Sequence, residues 1–144
     1  MRDIKFRIWN ILYKEMFYPS STPIMNGEYA EKFYLQLNGK LRGDFKHCGD
    51  VDCSDDYVLQ QFTGLIDKNN KEIYDGDILE RVGNGSFCKI VVGWNDKECC
   101  FVHNNVNNLH GSPSPLHDNF VNLCDWTYWV VCGNIFENPE LLEQ

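Results

Sequence analysis

The chain has 144 residues, 43% hydrophobic and 24% charged, enough for one domain or two sub-domains of about 60 to 80 residues. Its formal net charge of -8 opposes a broad phosphate-binding surface. It holds no apolar run of about 18 residues and no signal-peptide core near Met1, so a cytoplasmic protein with its seven cysteines reduced is expected, without a membrane span.

Ile4, Phe6 and Ile8 alternate with Lys5 and Arg7, the period-two pattern of a half-buried strand. Asn10 to Lys14 interrupts it and Glu15 to Tyr18 resumes an apolar run, which reads as a hairpin. Pro19 to Pro23 is a loop by composition. Phe33, Leu35 and Leu37 begin a further strand, followed by the hairpin signal Asn38-Gly39. A two-residue turn would pair Leu37 with Lys40 and a three-residue loop would pair it with Leu41; the hydrophobic pattern favours the second. His47 to Asp56 reads as an acidic surface loop, and Val58 to Leu65 holds a short strand.

Asp67-Lys-Asn-Asn-Lys71 is a turn by residue type. In Tyr74-Asp-Gly-Asp77, Asp75 is expected to make an Asx-type bond and Gly76 to accept positive φ. Ile78 to Val82 is a strand, and Gly83-Asn-Gly85 is a tight turn. Cys88, Ile90, Val92 and Trp94 share one face of the next strand. Asn95 to Glu98 turns the chain, and Cys99 to His103 returns as the third segment of a meander, the unit of small barrels. Asn104 to Asn122 reads as a long, mobile or inserted connection. Trp126 to Cys132 is apolar on both faces, as in a strand buried in a core or against another subunit. Asn138-Pro-Glu-Leu-Leu142 predicts a short helix with Asn138 as its cap.

Candidate chemistry is sparse. Asp50, Asp52, Ser54 and Asp56 alternate as in a calcium loop, but the sixth position is Asp55 and the twelfth is Gln61, so a solvated acidic loop is expected. His47, Cys48 and Cys53 could supply three zinc ligands, without a second ligand pair such as Cys-x-x-Cys. Cys99 and Cys100 are adjacent and would point to opposite faces of a strand, and Cys88 and Cys132 read as small core residues. A cysteine nucleophile needs a histidine partner, and nothing pairs His103, His110 or His117 with a thiol. Asp75 and Asp77 read as turn residues and not as an acid–base pair. No catalytic residue, metal or cofactor is assigned, and the chain is read as a non-enzyme.

Three segments resemble the YopX family of bacteriophage and prophage proteins: Arg2 to Asn10 with Met16 and Tyr18, Phe62 to Ile78, and Val131 to Leu142. Asn10 stands where an acidic residue is usual and Asn70 where Gly is usual, and 104–125 has no recognised counterpart. The resemblance implies a mainly β protein of several small sheets, with a partial SH3-like barrel built from hairpins around the Tyr-Asp-Gly-Asp turn. It also implies a self-associating protein of phage or prophage origin, and it supplies no reaction. The organisation expected is one domain over 1–144, with possible sub-domains 1–57 and 58–144 and an inserted loop at 104–122. The function expected is a homo-oligomeric module that binds a host or phage protein. The alternative is a nucleic-acid-binding barrel using Phe6, Trp9, Phe33 and Tyr34 near Lys5, Arg7 and Lys32; Lys5, Arg7 and Lys14, and further on Lys40, Arg42 and Lys46, are two local basic sets that otherwise read as solvated faces. A zinc-stabilised domain is the third possibility.

Overall fold

A computed structural model describes residues 3–18, 24–25, 28–35, 40–45, 49–52, 55–82, 88–109, 112–116 and 129–143, with the backbone alone for 24–25, 28–35, 41, 44–45 and 49–51. The chain divides into two compact units, Lys5–Gln60 and Met1–Ile4 with Gln61–Gln144. The structure is mainly β, with antiparallel sheets, one of them curled into a half-barrel, and very little helix.

In the unit Lys5–Gln60, β1 (Phe6–Asn10) and β2 (Glu15–Phe17) form the expected hairpin, with Ile8 opposite Phe17 and Asn10 opposite Glu15. The first residues of β7 (Tyr57–Ile66) lie beside β1. The buried face of β1 differs from the expected one: Arg7 and Trp9 are buried, while Ile4 precedes the strand and is 73% exposed. A buried guanidinium is tolerated only when it is bonded, and Arg7 Nε donates to Gln60 Oε1 at 2.8 Å. That partner lies 53 residues away, beyond the reach of local alternation.

The same unit holds a four-stranded sheet in chain order: β3 (Ile24–Met25), β4 (Glu28–Leu35), β5 (Leu41–Phe45) and β6 (Gly49–Asp52). Leu41 lies opposite Leu35 and not Leu37, a register two residues from the expected one. The Asn38-Gly39 signal itself lies outside the described residues. The acidic stretch expected to be a loop contains β6, which pairs with β5 from Arg42↔Asp52 to Phe45↔Gly49. Ladder bonds need only main-chain groups, so an acidic edge strand carries no apolar pattern to announce it.

The second unit begins with the rest of β7, which pairs with β8 (Glu72–Tyr74). The turn between them is as expected: Asp67 Oδ1 accepts from Asn69 N–H (2.7 Å) and Lys71 N–H (2.8 Å), and Asn70 takes φ 63°. The half-barrel then follows. Its order is β12 (Ser114–Pro115), β11 (Cys100–Asn105), β10 (Lys89–Asn95), β9 (Asp77–Arg81), β13 (Trp129–Asn134). Ile73, Leu79, Ile90, Val92, Phe101 and Trp129 form its core. Each contributes about 1.5–3 kcal/mol by leaving water. On the predicted face of β10, Ile90 and Val92 are buried, and Trp94 stays half exposed, edge-on to Phe101 at 5.1 Å.

The connection from Asn104 is partly ordered into the sheet. Asn105 caps a 3-10 turn, Val106–Asn108, by accepting from Asn107 N–H, and β12 returns to pair with β11. Trp126 to Tyr128 and Gly83 to Gly85 lie outside the described residues. Within β13 only Trp129 and Asn134 are fully buried; Val130 to Cys132 are half-buried. The strand ends its sheet, and the Asp67 turn covers its outer edge. Val131 N–H donates to Asp67 Oδ2 (3.0 Å), and Lys68 N–H donates to Trp129 O (3.1 Å). The predicted terminal helix is a single 3-10 turn, Pro139–Leu142. Asn138 does not cap it: its Oδ1 accepts from Asn134 N–H, and its Nδ2 donates to Glu140 Oε1. A side chain at Gly133 would collide with Asn138 and Leu141, so that glycine permits the close approach of this turn.

Candidate functional site

Among the described residues, those that could carry chemistry are dispersed or used structurally. Asp50 and Asp52 lie on β6 opposite Asp44 and Arg42, and Lys40 Nζ meets Asp52 Oδ2 at 2.6 Å. Asp56 is exposed, and its carbonyl accepts from Ile11 N–H. Ser54, His47, Cys48, Cys53, Lys46, His110 and His117 lie outside the described residues. Among the described residues, no group of three or more His, Cys, Asp or Glu is placed to hold a metal ion.

The thiols at 88, 99, 100 and 132 are not in disulfides. Cys99 is exposed in the left-handed region (φ 50°), with Sγ donating to Asp96 O, while Cys100 Sγ is directed at Glu98 Oε2. Cys132 Sγ donates to Ile78 O. Burial pushes the Cys132 thiol above its ordinary range and Glu80 adds to the effect, the opposite of what a nucleophile needs. His103 stands on β11 opposite Val92 and Ser114.

In the Tyr-Asp-Gly-Asp turn Gly76 takes φ 80°, as its sequence position requires, and Asp77 Oδ2 accepts from Tyr74 N–H at 2.8 Å. Asp77 Oδ1 accepts from Asn134 Nδ2 at 3.2 Å, and Asn134 Oδ1 accepts from Phe136 N–H. Asp75 is half-buried, and its N–H donates to Gln61 O. Asp77 and Asn134 are both 1% exposed, so their polar groups serve to join two turns.

The residues proposed to stack on nucleic-acid bases are described only in part. Trp9 and Arg7 are buried, and Phe6 is half-buried. The side chains of Lys32, Phe33 and Tyr34 lie outside the described ones.

The β1–β2 turn carries Ile11, Leu12 and Tyr13, which are 47%, 73% and 39% exposed. Buried Asn10 holds it: Oδ1 accepts from Leu12 N–H (2.9 Å) and Tyr13 N–H (3.0 Å), and its carbonyl accepts from Lys14 N–H. Lys14 completes the turn at φ 55°, and Asp56 O fixes Ile11 N–H at 2.9 Å. Three apolar side chains are thus displayed on a braced backbone, where turns are ordinarily polar. The sequence reading treated this stretch only as an interruption. Its signal was present: Asn followed by Ile-Leu-Tyr between two strands.

Comparison with known proteins supports the fold. The structure is similar to the crystal structure of protein EF1440 from Enterococcus faecalis, with TM-score 0.60 and 24% identity, covering 99% of each chain. It is also similar to the crystal structure of protein yopX from Bacillus subtilis, with TM-score 0.56 and 17% identity, covering 98% of each chain. A search of curated proteins gives no match. Among the described residues no helix is long and apolar enough to cross a membrane. The family model described as YopX protein matches residues 5–143, and the chain therefore belongs to the YopX family.

Proposed function

We propose that this protein is a non-enzymatic, self-associating interaction module, of phage or prophage origin and acting in the host cytoplasm. The observation that carries the reading is the braced β1–β2 turn, which exposes Ile11, Leu12 and Tyr13 together. Pre-organised backbone lowers the entropy lost on docking, and an aromatic beside two aliphatics suits an interface anchor. Among the described residues the carboxylates and thiols are dispersed, which supports a binding role over catalysis. Light scattering after gel filtration tests the proposal: wild type elutes as a multiple of 16.8 kDa, and Leu12→Asp shifts it towards monomer. A wild-type monomer at high micromolar concentration overturns it.

A further inference from the structure

The β1–β2 turn has an acidic surround. Among the described residues, Glu15, Asp55 and Asp56 are exposed close to it in the chain or through the Asp56–Ile11 bond, against one exposed cation, Lys14. Turn-to-turn contact between two copies would therefore set carboxylates against carboxylates. The β7–β8 turn has the opposite character. Ile66 is 52% exposed there, and Lys68 and Lys71 are exposed beside it. The acids of that hairpin keep their charge but are turned inward, Asp67 buried and accepting three backbone N–H groups, and Glu72 half-buried and accepting from Tyr74 OH at 2.7 Å, so its exposed charges are the two lysines. Each chain thus carries an apolar tip with an acidic rim and another with a basic rim.

We infer that the β1–β2 turn of one copy docks on the Ile66, Lys68 and Lys71 face of a second copy. The inference rests on the self-association proposed above and names its contact. The pairing is heterologous, so it builds a ring or an open array and not an isologous pair. Rim charges of opposite sign fix which faces meet and disfavour the wrong ones.

Charge exchange tests it by sedimentation velocity. Asp55→Lys with Asp56→Lys, and separately Lys68→Glu with Lys71→Glu, each weaken self-association by about tenfold or more. Mixing the two variants restores assembly, because each then meets a complementary face; both remain net acidic, so overall charge does not drive the recovery. All four sites are exposed, where replacement is well tolerated, and circular dichroism verifies folding. Ile66→Asp provides a second loss of association that leaves the rim intact. Wild type that assembles while both reversals match it within twofold, or reversed variants that stay apart when mixed, overturns this contact and leaves self-association standing. A monomeric wild type removes the underlying reading and this contact with it.

Discussion

Asp77 uses both carboxylate oxygens inside the protein, one on Tyr74 N–H and one on the Asn134 amide. Removing it leaves two buried donors without that acceptor, which costs about 2–3 kcal/mol. Asp77→Ala therefore destabilises more than Asp75→Ala, whose half-buried position predicts about 1 kcal/mol; urea unfolding of the two variants gives the order. Residue types announced a tight turn here, and the glycine at φ 80° was legible. That Asp77 also joins Asn134 was not, because this partner lies 57 residues away. Burial of Arg7 was illegible for the same reason. The thiols give a second expectation. Exposed Cys99 reacts with iodoacetamide faster than Cys132, as peptide mass spectrometry reads by site. Because the folded Cys132 pKa is raised, the native state keeps a proton that the unfolded chain releases. That contribution is present below the unfolded thiol pKa of about 8.5 and is lost as pH rises through it towards the folded value. Cys132→Ala lessens this alkaline decline.

Among the elements, hairpins with local turn chemistry were readable: β7–β8 and β10–β11 each join a recognisable turn to a recognisable strand. Strand β6 was hidden because its residues are acidic and its stability comes from main-chain pairing with β5. The two-sided apolar segment near β13 suggested burial within a core or against a subunit. Of its described residues Trp129 joins the core and Val131 packs against it, while the outer edge of β13 is covered by the Asp67 turn through Val131 N–H and Trp129 O. An apolar edge strand left open is a template for unwanted pairing. Asp67→Ala removes an acceptor from Asn69, Lys71 and Val131 and is expected to cost about 2–3 kcal/mol. It should also increase turbidity on heating, measured against wild type at equal concentration. Unchanged stability and turbidity would show that this cover is dispensable.

For the molecule as a whole, family and architecture were legible in three segments spread along the chain, while the candidate contact was not. Periodicity marks what is buried, so an apolar turn between strands registers only as a break in the pattern. The structure gives that break a meaning, since Asn10 and Asp56 hold Ile11, Leu12 and Tyr13 outward on fixed backbone. The account depends on this surface being covered in solution by another copy. Gel filtration with light scattering on wild type and Leu12→Asp, both at high micromolar concentration, is the most direct measurement. The account predicts a wild-type mass that is a multiple of 16.8 kDa and a folded Leu12→Asp protein shifted towards monomer. A monomeric wild type, or a Leu12→Asp protein of unchanged oligomeric mass, would contradict it.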